Sequence, residues 1–440
     1  MSEARGQTTT QRDRPRILLV VRGFTHPPTI GGRQRNNLLL RALQMVGDVD
    51  LVAIDGSALK ESDERYMCEH HGLRAVLRMP AHGDLIPWRW FRPLHPTLVQ
   101  RLAHNFGRRA RMYRPQPLVS GVIQQLHAQR GYDLVVGRYL SYATVAGLHR
   151  FPRSILDVDD MDTEVYRSRL AEPTVPAWER LVLRRHIRQL RPILRRTLPQ
   201  FSALWVSNPG DRVFPELERA RLLVNLPFQA VLGEPPPTPP PPDCKTAIVV
   251  SSWGHRPNTY GLDVFIQRVW PQILESCPDA VLRVIGSQMD PTLRDRLRSV
   301  PGIYPIGFVE DLSREYAQCA FAIAPIFSGG GTNIKVLEAL WHGRTCLVSG
   351  VAHRGYQQTL PAGKCLQVAE DLDALATGAI RLYTQPEYRD RLAAAGRAAV
   401  LAHYSFDSFR RAVKETVECV ISDSCPGGQA ASAMAPECHA

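Results

Sequence analysis

Gly329, Gly330 and Gly331 are followed by Thr332 and Asn333, and then by Lys335 and Glu338. A backbone without side chains at successive positions admits a ligand to its N–H groups, and where such a loop opens a helix those groups favour an anion. Phosphate is the anion this arrangement suits. On a helix starting near Asn333, Lys335 and Glu338 sit at i and i+3 and share a face, away from Ile334, Leu337 and Trp341. An intrahelical Lys335–Glu338 ion pair on a solvated face is the competing reading. A second constellation, Asp157, Asp159, Asp160 and Asp162, lies in LDVDDMDTEVY. Four carboxylates so close invite a metal, but the spacing of a calcium loop, with its glycine and closing glutamate, is absent. One carboxylate capping the next helix and another facing a sugar hydroxyl is more economical. Gly31 and Gly32 form a third candidate, a turn that follows the apolar run RILLVVR.

These residues need elements to hold them. Around the glycines the pattern predicts a strand over 321–326, a turn over 328–331, a helix over 333–342 capped by Gly343, and a strand over 344–348. Upstream, strand 16–22, helix 34–46 and strand 49–54 make a βαβ opening. Strand 133–137, helix 142–149, strand 154–158, helix 177–196, strand 203–206, helix 210–217 and strand 222–225 continue it. Seven prolines in GEPPPTPPPPD form a semi-rigid spacer. The alternation then restarts with strand 247–251, loop SWGHRPN, helix 259–274, strand 281–286, helix 292–298, strand 303–306, loop GFVED and helix 312–318. Helices over 372–382, 386–403 and 406–420 close the chain. Two doubly wound, Rossmann-like α/β domains facing each other are expected. Their boundaries are 16–230 and 245–405, with a linker over 231–244, a last helix over 406–421, and disordered ends over 1–15 and 422–440.

The chain has 440 residues, enough for two domains with substantial cores, and a net charge of +12. That charge suits acidic ligands, anionic lipid or nucleic acid, but no nucleic-acid motif accompanies it. Only five of the 54 basic residues are lysines, so genome composition accounts for part of the excess. Two segments fit a peripheral contact with an anionic membrane: IPWRWFRPLHP, which interleaves Trp88, Trp90 and Phe91 with arginine, and the helix over 177–196. In the latter, Leu181, Ile187, Leu190 and Leu194 make the apolar contacts and seven arginines the rest; a packed loop and a solvated helix face are the plainer readings. Nine scattered cysteines without CxxC pairing, and no run of about 18 apolar residues, lead us to expect a cytoplasmic protein.

Six motifs, in order, resemble the GT-B glycosyltransferases of family 4, the "glycosyl transferases group 1" type, and especially bacterial sugar transferases of exopolysaccharide and exosortase-type loci. They are HPPTIGGRQRNNLLLRAL, LDVDDMDTEVY, LWVSNPGDR, SSWGHRPNTYGLDVFIQRVWP, IGFVED and GGGTNIKVLEALWHGRTCLVS, and the resemblance covers residues 15–421. It implies a hexosyltransferase-type enzyme that retains anomeric configuration. The donor is a nucleotide-diphosphate sugar in the second domain, and the acceptor a saccharide or lipid-linked saccharide in the first; neither metal nor cofactor is required. The last helix is expected to cross back to the first domain. Within the resemblance Glu338 binds the donor ribose, Gly307, Phe308 and Val309 offer backbone to the nucleobase, and Asp159 or Asp160 falls where relatives contact the donor sugar. The family's first glutamate falls on Gly330, and its basic diphosphate clamp near Ser252 and Pro257. Lys335, with Arg256 second, replaces that clamp, and Gly31, Gly32, Asn258, Gly329, Gly330, Gly331, Thr332 and Asn333 complete the donor site. A sugar-nucleotide epimerase or hydrolase of the same fold and an inactive scaffold are the alternatives.

Overall fold

The computed structural model describes residues 14–23, 31–54, scattered positions between 65 and 79, 113–159, 161–212, 215–231, 233, 240 and 243–424. The segment 86–96, Asp160, most of the proline-rich linker and the two chain ends lie outside the described residues.

Short runs of Val, Ile and Leu, buried on both faces, form two wholly parallel sheets. The first contains β1 (Arg16–Arg22), β2 (Asp48–Ile54), β3 (Val76–Met79), β4 (Leu134–Arg138), β5 (Ser154–Asp159), β6 (Ala203–Val206) and β7 (Arg221–Leu222), in the order β3-β2-β1-β4-β5-β6-β7. Helices α1 (Gly31–Val46), α2 (Pro117–Arg130), α3 (Leu140–Val145), α4 (Asp162–Ala171) and α5 (Ala177–Thr197) connect its strands. The second sheet has β8 (Thr246–Val250), β9 (Val281–Ile285), β10 (Ile303–Gly307), β11 (Phe321–Ala324), β12 (Cys346–Ser349) and β13 (Gln367–Ala369), ordered β10-β9-β8-β11-β12-β13. Its helices include α6 (Arg256–Val264), α7 (Trp270–Ser276), α8 (Pro291–Arg298), α9 (Leu312–Ala317), α10 (Ile334–Trp341), α11 (Gly350–His353), α12 (Leu372–Thr384), α13 (Pro386–His403) and α14 (Phe406–Ile421).

Each sheet reverses its winding once, between β1 and β4 and between β8 and β11. Ligands of open α/β sheets bind in the crevices beyond the strand ends at such reversals. The glycine loop follows β11 and the SWGHRPN loop follows β8, so both lie at the second reversal; Gly31 and Gly32 lie at the first.

Three local readings change. Gly31 and Gly32 are the first two residues of α1 rather than a turn before it. The expected helix over 259–274 is interrupted by a π-helical turn, Phe265–Val269, ahead of Pro271, whose missing N–H and bulky ring disturb the regular ladder. Along α5 the core side is Val182, Leu183, His186, Ile187, Leu190 and Leu194, whereas Leu181 is 70% exposed and not an apolar contact.

The final helix α14 lies against α1 of the first lobe, with Phe409, Val413, Val417 and Val420 buried. There the indole N–H of Trp205 on β6 donates to Thr416 Oγ1 at 3.1 Å. One apolar cluster runs from Leu38 and Leu43 through Val413 to Leu337 and Val400, so the core is continuous between the lobes.

Candidate functional site

Glycine is required in the loop at Gly329 and Gly331, whose φ angles are 128° and 61°. The loop delivers the chain to Asn333, the N-cap of α10, which makes no side-chain cap bond. Two residues on, Lys335 Nζ donates to Ser251 Oγ and to Asn258 Oδ1, both at 2.8 Å. Asn258 in turn donates to the Ser252 carbonyl at 2.9 Å. Two glycines permit this closeness: a Cβ on Gly261 of α6 would overlap the Pro325 carbonyl, and one on Gly286 would overlap that of Ser251. The loops after β8, β9 and β11 are thus pinned backbone to backbone.

Lys335 does not pair with Glu338, and among the described residues no carboxylate lies in ion-pair contact with it. Burial lowers the pKa of its ammonium to about 8, with Cys346 and Glu338 opposing. The neighbouring His255 is lowered as well, by burial and then by Lys335. Glu338, 5% exposed, turns elsewhere: Oε1 accepts from Gln229 Nε2 at 2.9 Å, and Tyr316 OH lies 3.5 Å from Oε2. Burial raises its pKa despite these donors. The intrahelical ion pair is therefore excluded: Lys335, half-buried, faces the loop after β8, and Glu338, buried, faces Gln229 and Tyr316.

The first lobe forms the opposite wall. Gly329 N–H donates to Ser168 Oγ at 2.7 Å, Ser328 Oγ donates to Glu172, and Asn208 Nδ2 donates to the Gly331 carbonyl at 3.3 Å. Asn225 Nδ2 donates to Thr332 Oγ1 at 2.9 Å. From the second lobe, Arg354 Nη2 donates to the Gly329 carbonyl at 2.8 Å. The start of α1 meets the start of α10, since a Cβ on Gly31 would lie 3.2 Å from Ile334 Cδ1. Gly32 lies against Tyr139, at a Cβ-to-hydroxyl distance of 3.2 Å. Arg256 is 57% exposed at the start of α6, 3.7 Å from Glu172.

The acidic cluster is neutralised by arginine. Arg35 grips Asp157 with two 2.7 Å hydrogen bonds and donates to Asn225 Oδ1 at 2.8 Å. Arg138 lies 3.2 Å from Asp157, bonds Asp159 and the Gly32 carbonyl, and reaches Asn36 Oδ1 at 2.7 Å. Burial opposes ionisation of Asp159, but Arg138 and Arg35 outweigh it and hold its carboxyl below the ordinary range. Asp159, held at φ 55°, is engaged by these guanidiniums. Among the described residues the N-cap of α4 is Met161, which makes no side-chain cap bond, while Asp162 sits in the first turn and accepts from Tyr113 OH. Among the described residues, no group of three or more His, Cys, Asp or Glu is placed to hold a metal ion.

At the edge of the second sheet, Gly307 has φ 87° and its carbonyl already accepts from Gly286 N–H at 2.8 Å. Phe308 is 56% exposed beside it, and Val309 packs against the core. Sequence reasoning assigned no role to Ser168, Glu172, Asn208, Asn225, Gln229 and Arg354; of these only Asn208 falls inside a motif, LWVSNPGDR. It also missed Asp211, 2% exposed, whose carboxyl burial raises to a pKa of about 6 against the pull of Arg354.

Residues 244–385, which contain the glycine loop, Lys335 and Glu338, match the family described as Glycosyl transferases group 1. Over 156 residues the chain is 27% identical to a GDP-mannose-dependent monoacylated alpha-(1-6)-phosphatidylinositol monomannoside mannosyltransferase of Corynebacterium glutamicum, a match covering 33% of this chain. It spans 41% of that relative's length. Among solved structures, sucrose-phosphate synthase from Thermosynechococcus elongatus superposes with a TM-score of 0.62 at 14% identity, over 93% of this chain and all of that one. HepE of Anabaena in complex with UDP gives 0.60 at 12%, over 92% of this chain and 99% of that one. The fold is the two-domain α/β GT-B fold.

Proposed function

We propose that this chain, whose second lobe carries the group 1 glycosyltransferase match, moves a sugar from a nucleotide-diphosphate sugar to a polysaccharide or glycolipid precursor with retention of anomeric configuration. The carrying observation is Lys335: an ammonium without a carboxylate partner among the described residues, half-buried at the amino end of α10 and aimed at the loop after β8. A cation so placed suits the charge that develops when a nucleoside diphosphate leaves. N–H groups of the glycine loop and of the first turn of α10 add to it.

The bond from the anomeric carbon to the diphosphate oxygen breaks, and the acceptor oxygen bonds that carbon from the same face. The acceptor proton passes to the departing phosphate oxygen, so no strong protein base is needed. Glu338 is assigned to the ribose hydroxyls, which would replace Gln229 as its donor. Phe308 and Val309 are assigned to the nucleobase. We place the enzyme in the cytoplasm, at the inner face of the plasma membrane.

The Corynebacterium relative is named for GDP-mannose and the Anabaena structure holds UDP, so both nucleotides enter the test. The protein is incubated with UDP-, GDP- and dTDP-sugars with and without a bacterial lipid and polysaccharide extract, and products are followed by mass spectrometry and anomeric NMR. The proposal expects one donor to be consumed chiefly when acceptor is present, giving a product with the donor's anomeric configuration. An inverted product overturns retention. Conversion of donor into another sugar nucleotide without acceptor favours the epimerase instead.

A further inference from the structure

Helix α5 has a complete apolar side in the core, and its other side has no partner among the described residues. That outer side carries Trp178, 55% exposed, and Leu181, 70% exposed, one turn apart at the amino end. Arg184, Arg185, Arg188, Arg191, Arg195 and Arg196, all exposed, follow along the remaining turns. Trp178, Leu181, Arg185 and Arg188 recur at spacings of three and four and so form one stripe. The helix's one acidic residue, Glu179, is taken up by Arg169 at 3.0 Å. The stripe therefore presents an uncompensated positive charge ending in two large apolar side chains.

We infer that this face of α5 docks on an anionic lipid bilayer, Trp178 and Leu181 entering the interface and the arginines meeting the headgroups. Charge complementarity selects the occupant, and the apolar end separates a bilayer from a purely ionic partner. Aromatic and aliphatic side chains gain by leaving water at a bilayer interface, which a nucleic-acid backbone does not offer.

The docking end is tied firmly to the glycine loop. Arg180, beside Trp178, donates to the carbonyls of Leu170 and Glu172 at 2.9 Å and of Val175 at 3.0 Å, which fixes α5 to the end of α4. From α4, Ser168 accepts the Gly329 N–H, and Glu172, at its end, accepts from Ser328 Oγ. A bilayer at Trp178 thus lies within a few side-chain links of the loop assigned to the donor diphosphate. Resting on the proposed transfer reaction, this narrows the acceptor class to lipid-linked saccharides that stay in the membrane.

The test is co-sedimentation of the full chain with phosphatidylcholine vesicles, neutral or with roughly 30% phosphatidylglycerol, an anionic content that attracts basic segments. Binding to the anionic vesicles alone, weakened by salt, is expected. The Arg184→Glu, Arg185→Glu, Arg188→Glu triple variant should lose about tenfold or more, since each basic residue near the surface adds to attraction. Trp178→Ala with Leu181→Ala should lower the residual binding that survives high salt. All five side chains are exposed, and unchanged melting temperatures establish that the variants fold. Sedimentation with neutral vesicles to the same extent, none with either, or undiminished binding by the triple variant overturns the proposal. So does tighter binding to single-stranded RNA that Trp178→Ala and Leu181→Ala leave untouched. Nucleotide-induced stabilisation is measured separately: its loss with intact vesicle binding counts against the donor site alone, and the reverse against this surface alone.

Discussion

Lys335 is held between two neutral acceptors, Ser251 Oγ and Asn258 Oδ1, and lacks a carboxylate partner. The consequence is a pH dependence. Below about pH 8 the side chain is charged and attracts a diphosphate; above it the amine is neutral and that attraction is lost. Bound anion favours the charged form, so binding takes up a proton near that pH. Affinity for UDP or GDP should fall as pH rises above 8, by up to about tenfold per unit, and the fall should vanish in Lys335→Gln; titration calorimetry from pH 7 to 10 reads it. From the sequence, Lys335 was legible as the basic residue opening the helix after the glycines. Its partners were not, because Ser251 and Asn258 come from a loop about 80 residues away and only the fold joins them. The partners of the aspartates were hidden for a similar reason: their guanidiniums come from Arg35 on α1 and Arg138 on β4, distant in the sequence.

At the scale of elements, apolar runs identify most strands, and β1, β6 and α13 begin and end where the pattern places them, whereas the short β3 and β13 were not read from the sequence. Gly31 and Gly32 do not read as helix, since paired glycines disfavour one; α1 nonetheless includes both, with Arg138 bonded to the Gly32 carbonyl and Gly31 close to Ile334. The approach of α6 to the strand end at Pro325 gives a prediction with an informative sign. On an isolated helix Gly261→Ala would stabilise by about 1 kcal/mol. Here the new methyl group overlaps the Pro325 carbonyl, and the variant should instead lose about 1–3 kcal/mol of stability in urea unfolding. Nucleotide affinity should drop with it, because α6 carries Asn258.

Across the whole molecule, the doubling of the βα pattern around a proline-rich segment made two similar lobes readable. Their mutual contacts were not, since Ser168 on α4, Asn208 within LWVSNPGDR and Asn225 after β7 meet the glycine loop only through the fold. The return of α14 to α1 gives one core shared by both lobes. Thr416→Val, which leaves the buried Trp205 indole N–H without its acceptor, should cost about 1–3 kcal/mol. It should lower the melting temperature while leaving the nucleotide-induced shift intact, because neither side chain is among those bonded to the glycine loop.

The central claim is that Lys335 and Glu338 of α10 hold a nucleoside diphosphate, and nucleotide-induced thermal stabilisation tests it most directly. At a ligand concentration of about 100 times Kd, wild-type protein should gain about 2.7 kcal/mol with UDP or GDP. Lys335→Gln and Glu338→Ala should each lose most of that gain, read against each variant's own melting temperature without ligand. Absence of a shift with every nucleotide, or equal shifts in wild type and both variants, would contradict the account.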